Sequence, residues 1–204
     1  MEVAALALYA LWLALAFGVR IALHVRRTGS TGVRGLDRDA APLEWLAGAL
    51  FVTSLLAAAA APLLALLGVS EPVGALDGVV VHAAGIVLAA AGIAGTFIAQ
   101  LAMGDSWRIG VESEERTDLV TDGLFALVRN PIYSAMIPTV LGLALMVPSP
   151  LALVALAGLG LALELQVRVV EEPYLLRAHG ASYAQYAARV GRFVPGVGLL
   201  HGVR

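Results

Sequence analysis

Five apolar stretches, at 3–25, 43–68, 79–103, 131–147 and 150–167, constrain this chain more than anything else in it. Crossing a hydrocarbon core of about 30 Å takes about 20 residues of α-helix, and each stretch reaches that length or comes close to it. A soluble domain carries about 25% charged residues; here 14% of 204 residues are charged and 60% are hydrophobic. Lipid accounts for the deficit. The fold class expected is all-α: a polytopic membrane protein with five transmembrane helices and a cytoplasmic C-terminal helical segment. The fourth and fifth stretches are parted only by "PSP" (148–150), which reads as a tight helical hairpin. The first opens Met1-Glu2 without a basic flank, and its apolar run is too long for the core of a signal peptide, so it is expected to be a span.

The arginines give the orientation. Arg20, Arg26, Arg27, Arg34 and Arg38 lie at or after the end of the first stretch. Arg108, Arg116 and Arg129 lie between the third and fourth, and Arg168, Arg177, Arg189, Arg192 and Arg204 follow the fifth. The two remaining connections hold no basic residue. Five spans with that alternation put the N-terminus outside and the C-terminus in the cytoplasm; the expected location is a bacterial plasma membrane. A formal net charge of -2 gives neither a nucleic-acid partner nor a grip on an acidic lipid surface from charge alone, and membrane lipids are the partners expected. There is no cysteine, which excludes thiolate chemistry and cysteine-based metal sites. His24, His82, His179 and His201 are scattered without metal-ligand spacing, and no metal is expected. No sequence feature sets an oligomeric state.

Within a single membrane domain (1–204), residues 1–99 read as scaffold spans and 100–196 as the functional core. The connector "HVRRTGSTGVRGLDRDAAP" (24–42), rich in Gly and alternating charge, is expected to be a mobile cytoplasmic loop. The segment 167–196 reads as an amphipathic helix, a turn and a second short helix. Pro173 belongs in the first turn of a new helix after Glu172, Gly180 reads as a C-cap, and Ser182 as the next N-cap. Two readings of this segment stand side by side. Tyr174, Tyr183 and Tyr186 anchor an interfacial helix at the headgroups, or the segment closes over a site.

A polar elbow, "LVRNPIY" (127–133), opens the fourth stretch. Asn130 is a good N-cap and Pro131 suits the first helical position, so the helix starts sharply with unpaired N–H groups and a positive dipole end. Such an end, with Arg129 beside it, attracts an anionic ligand group; a plain capped span with a positive-inside arginine is the alternative. Glu164 sits in or at the edge of the fifth stretch, where an unsatisfied carboxylate costs about 2.5 kcal/mol or more. Glu164, Arg168, Glu171 and Glu172 fall on one helical stripe by spacing. An i,i+4 ion pair returns only about 0.2–0.5 kcal/mol, so a polar cavity or a ligand is the better account of Glu164. The loop "QLAMGDSWRIGVESEERTDLVTDGLF" (100–125) is too polar and too long for a simple turn, and "TDG" (121–123) is turn chemistry.

"LVTDGLFALVRNPIYSAM" and "EEPYLLRAHGASYAQYAARVGRFVPG", in that order, resemble the isoprenylcysteine carboxyl methyltransferase family of integral membrane methyltransferases, related to the phospholipid methyltransferases. The family pattern is an Arg-His-Pro-x-Tyr elbow, a Glu-Glu pair, then Phe-Gly-x-x-Tyr and a terminal Pro. The resemblance covers about residues 100–196. It implies S-adenosyl-L-methionine held at the cytoplasmic face under the C-terminal segment, and a lipophilic or lipidated acceptor entering from the bilayer. By position, it implies that Thr117, Asp118, Leu119, Val120, Phe125, Arg129, Asn130, Pro131, Ile132 and Tyr133 line the cofactor pocket. Glu171 and Glu172 would hold the cofactor, and Arg168, with Glu164, would meet the acceptor. Asn130 departs from the family His, and Ser134-Ala135 replace a small-x-Gly step. Methyl transfer from a sulfonium asks mainly for in-line positioning and exclusion of water, which suits a site without metal, Cys or catalytic His. Carboxylate O-methylation of an isoprenylcysteine-like acceptor is the favoured function. The rivals are a phospholipid or small-lipid N- or O-methyltransferase, a sterol-type reductase using NADPH, and a non-catalytic membrane scaffold or transporter.

Overall fold

Proline places the helix starts. Three of the helices begin with it at the first position, where its missing N–H costs nothing and its fixed φ suits the helix. The structure, a computed structural model, describes residues 1–33, 41–108 and 118–200. Its helices are α1 (Glu2–Thr28), α2 (Pro42–Leu66), α3 (Val79–Ala102), α4 (Pro131–Met146), α5 (Pro150–His179) and the short α6 (Ala181–Ala187). Helices α1, α2, α3 and α5 have 27, 25, 24 and 30 residues and are long and apolar enough to cross a membrane; α4 is a shorter apolar helix of 16. Among the described residues there is no strand, only isolated bridges. The fold is the all-α membrane architecture that the apolar stretches imply. The connector residues 34–40 lie outside the described residues, as do 109–117 and 201–204.

The fifth apolar stretch was expected to end near 167, with a separate helix after Glu172. Instead α5 runs unbroken to His179. Pro173 has no N–H to donate, and its ring would press on the carbonyl four residues back. A π-helical turn over Gln166–Glu171 precedes it, widening the helix by one residue per hydrogen-bonded ring, so the chain passes the proline without a break. Gly180 ends α5 with φ 52° as a C-cap should, but it also serves as the N-cap of α6. Ser182 therefore lies inside α6 and not at its cap.

Small residues set the packing. A Cβ on Gly142 of α4 would stand against the Ala89 amide nitrogen and the Gly85 carbonyl oxygen of α3, closer than van der Waals contact allows. Such backbone approach is what glycine permits in a bilayer, where dispersion rather than hydrophobicity draws helices together. The core between the helices holds Trp12, Met136, Val140, Leu143, Leu159 and Leu163. The outward faces carry Leu56, Val87 and Val154, each more than 60% exposed, which is ordinary surface only if lipid is the solvent. Arg20 of α1 donates to the Gly104 carbonyl just past α3 and lies over the Trp107 ring at 4.6 Å. The C-terminal ends of α1 and α3 therefore meet at one end of the bundle.

Candidate functional site

The elbow is held from behind. Backbone N–H groups of Arg129 and Asn130 donate to the carbonyls of Gly191 (2.8 Å) and Arg192 (3.1 Å), so the chain after α6 runs beside the elbow like a short strand. Ser134 adds a hydroxyl bond to the Phe193 carbonyl at 2.8 Å. Asn130 occupies the N-cap position as expected, but its side chain makes no cap; its Nδ2 donates to the Arg192 carbonyl at 3.1 Å. The first-turn N–H groups of α4 are thus left without a side-chain cap.

A buried ionic latch ties the same segment to α5. Glu172 Oε1 accepts from Arg129 Nη2 (2.6 Å) and Arg192 Nε (2.8 Å), and its Oε2 accepts from Arg192 Nη2 (3.0 Å). Arg129 also donates to the carbonyls of Ala187, Val190 and Gly198. The hydrogen bonds to Glu172 push the Arg192 guanidinium further up in pKa. Burial raises the phenols of Tyr183 and Tyr186, the latter to about 12, so both are neutral donors at ordinary pH. Tyr186 uses its hydroxyl to hold the Phe125 carbonyl at 2.6 Å.

Elbow, latch and α5 enclose one end of a cavity of about 360 Å3, within the range of small-molecule sites. Its polar end is walled by Asp118, Leu119, Val120 and Phe125 from the loop before α4 and by Arg129, Asn130, Pro131, Ile132 and Tyr133 from the elbow. Glu171 faces them from the π turn, and its carboxylate accepts a short hydrogen bond from the Tyr133 hydroxyl. The opposite end is apolar, built by Trp12, Phe17, Phe51, Met136 and Leu163. It reaches the outer surface of α2 at Val52, which is 55% exposed. A helix of 16 residues spans about 24 Å, some 6 Å short of the hydrocarbon core.

The expected residues divide accordingly. Asp118, Leu119, Val120, Phe125, Arg129, Asn130, Pro131, Ile132, Tyr133 and Glu171 come together around the cavity, while Thr117 lies outside the described residues. Glu172 does not reach it, because both of its oxygens are taken by the latch. Arg168 and Glu164 are not on its wall either. Arg168 has a 58% exposed side chain and pairs with Glu164, which also accepts from Arg192 Nη1 at 3.3 Å. The expected single stripe is split by the π turn, which rotates Glu171 inward while Arg168 stays out. Glu164 is thus satisfied by two guanidinium groups.

Sequence reasoning missed several wall residues. Tyr174, Tyr183 and Tyr186, read as headgroup anchors or as a cover over a site, are buried at 3%, 2% and 6% exposure and line the cavity. The nominal scaffold at 1–99 supplies Trp12, Phe51 and Thr96, and Gln100, the first residue of the expected core, joins them from α3. Only Gln100, a lone amide near the end of an apolar run, carried a legible signal. Among the described residues no group of His, Asp or Glu could hold a metal ion.

The family described as phospholipid methyltransferase matches residues 79–182. An 87-residue stretch is 33% identical to protein-S-isoprenylcysteine O-methyltransferase B of Arabidopsis thaliana, covering 43% of this chain and 44% of that protein. Among solved structures, that of the eukaryotic intramembrane Ras methyltransferase, isoprenylcysteine carboxyl methyltransferase, aligns at a TM-score of 0.63 over 94% of this chain and 64% of that one. At 23% identity this is a likeness of fold. The chain thus spans less than half the length of the plant relative. The matched region contains α3, the elbow, the hairpin and the Glu171–Glu172 pair, which supply much of the cavity wall, and the chain belongs to the phospholipid methyltransferase family.

Proposed function

We propose that this chain is an S-adenosyl-L-methionine-dependent methyltransferase acting on a lipophilic acceptor, an isoprenylcysteine-like carboxylate being favoured, at the cytoplasmic face of the membrane. The observation that carries this reading is Glu171, presented by a π turn and held by the Tyr133 hydroxyl on the wall of a cavity that is polar at one end and apolar at the other.

The residues present fit the cofactor by their chemistry. Glu171 is an acceptor for ribose hydroxyls or an ammonium group. The uncapped first turn of α4, at Ile132 and Tyr133, offers N–H groups to a carboxylate. The bound cofactor would supply an already activated sulfonium methyl group. What remains for the protein is orientation and exclusion of water. Tyr133 fixes the Glu171 carboxylate; Tyr183 and Tyr186 wall the polar end; the latch keeps the C-terminal segment closed behind it. Asn130 gives its hydrogen bond to the Arg192 carbonyl, a task of holding the elbow that needs no imidazole.

A nicotinamide dinucleotide suits this wall less well. Its phosphates would meet the Glu171 carboxylate, and both Nη groups of Arg129 are committed to Glu172 and three carbonyls, leaving only its buried Nε–H. The test is calorimetry on the full chain in detergent, with S-adenosylhomocysteine and NADPH titrated in parallel. Binding of S-adenosylhomocysteine alone is expected. Binding of NADPH alone would turn the reading to a reductase, and binding of neither would turn it to a scaffold or transporter.

A further inference from the structure

Gln100 lies on the cavity wall near the end of α3, and 5% of its surface is exposed. Its Nε2 donates to the Ala16 carbonyl at 3.0 Å, in the π turn of α1 over Ala14–Val19. A carbonyl can only accept, so the amide orientation follows from chemistry, and the atom left over is the oxygen. Gln100 Oε1 is buried and has no hydrogen-bond partner. One turn earlier in α1, Trp12 also lines the cavity, 1% exposed, with its indole Nε1–H buried and unpartnered. Phe17, Phe51, Met136 and Leu163 beside them are apolar, and the Thr96 hydroxyl has given its one proton to the Gly92 carbonyl at 2.8 Å, leaving none for Gln100 Oε1.

Buried polar groups are paired almost everywhere in proteins, and leaving one unpaired forfeits its hydration. Both atoms are fully buried, so a molecule that packs against them at this apolar end can supply the hydrogen bonds they lack. The pair asks for complementary things: Gln100 Oε1 needs a donor, and Trp12 Nε1–H needs an acceptor. A hydrocarbon chain supplies neither, and a bare carboxylate placed against Gln100 Oε1 would set oxygen against oxygen.

The geometry points to Gln100, with Trp12, as a specificity-determining pair that reads a neutral hydrogen-bonding group, an amide or a hydroxyl, on the lipophilic acceptor beside its apolar chain. This inference rests on the methyltransferase reading for the word acceptor, but not for the binding itself. A site built around a hydrogen bond rejects a ligand that lacks it more sharply than an apolar pocket rejects a wrong chain length.

Three S-farnesyl thioether carboxylic acids, identical except for an acetamido group, a hydroxyl or a hydrogen on the carbon next to the carboxylate, separate the possibilities. Their affinities for the full chain in lipid nanodiscs are measured beside that of S-adenosylhomocysteine. Both polar probes are expected to bind about 5-fold or more tighter than the hydrogen analogue. In Gln100→Met the three probes should fall within about 2-fold of one another, with S-adenosylhomocysteine bound as in the wild type. A preference for only one polar probe identifies amide or hydroxyl as the source. Trp12→Phe keeps the ring and loses the donor, and it carries the same test if Gln100→Met does not fold. Absence of the preference in the wild type, or its survival in both variants, overturns the inference. Loss of S-adenosylhomocysteine affinity in Gln100→Met also overturns it, because the oxygen would then serve the cofactor. If the wild type keeps the preference but binds no S-adenosylhomocysteine, the methyltransferase reading falls and the selective cavity stands.

Discussion

Glu171 and Glu172 show how far two adjacent, identical side chains can be driven apart by the turn that carries them. Glu171 faces the cavity with the Tyr133 hydroxyl as its partner, and Glu172 is buried between Arg129 and Arg192. Their removal should therefore do different things. Glu171→Ala should weaken S-adenosylhomocysteine binding by more than about 10-fold, since one charge-assisted hydrogen bond contributes about 1.5–3 kcal/mol, while thermal unfolding in detergent stays close to that of the wild type. Glu172→Ala strands two buried guanidinium groups. Breaking such a pair from one side costs about 3–5 kcal/mol, so a lowered unfolding temperature is expected before any specific loss of binding. Equal affinity in the Glu171→Ala variant would make that carboxylate a bystander. Arg168 belongs at the other extreme. Exposed and paired with Glu164 one turn away, it contributes about 0.2–0.5 kcal/mol. Arg168→Lys should leave methyl transfer within about 2-fold of wild type; a larger drop with cofactor affinity intact would return Arg168 to the acceptor.

The helices place these residues through close approach and through two wide turns. Both π turns border the cavity: Ala16 and Phe17 line it from one, Gln166 and Glu171 from the other. Neither was legible in the sequence. A π turn has no composition of its own, and strict α-helical spacing put Glu164, Arg168, Glu171 and Glu172 on one stripe that the wider turn then divided. Pro173 was the available signal, and it marked a change of helix geometry rather than an end. The helix starts were legible, because Pro42, Pro131 and Pro150 fix φ and need no N–H partner. Close packing leads to an element-level prediction. Gly142→Ala forces α3 and α4 apart against backbone atoms, whereas Gly160 on α5 faces open space. Overpacking of this kind costs about 1–3 kcal/mol, while Gly→Ala in a free helix position gains up to about 1 kcal/mol. Unfolding temperatures in detergent should fall for the first variant and hold or rise for the second; equal behaviour would mean that the two helices part without cost.

At the scale of the whole molecule, hydropathy made the membrane architecture legible, and a handful of polar residues in an apolar background made the polar half of the cavity legible. The apolar half was not, since Trp12, Phe51 and Leu163 look like any other lipid-facing residues until tertiary packing turns them inward. The ends of α1 and α3 meet through Arg20 and Gly104, and the elbow meets the segment after α6 through Arg129 and Glu172, so the arginine-bearing ends gather at one pole of the bundle. The opposite pole, at 67–78 and 147–149, carries Glu71 and Asp77 and no basic residue. Lys and Arg near helix ends are retained on the cytoplasmic side, so the arginine pole and the polar mouth of the cavity should face the cytoplasm, where a soluble cofactor would be supplied. Thr31 and Glu71 are exposed at opposite poles, and the chain has no native cysteine to interfere. In intact cells, Glu71→Cys should react with a membrane-impermeant thiol reagent, while Thr31→Cys should react only after the membrane is opened. The reverse pattern would place the cavity mouth outside, away from any cytoplasmic cofactor, and would overturn the proposed function together with the orientation.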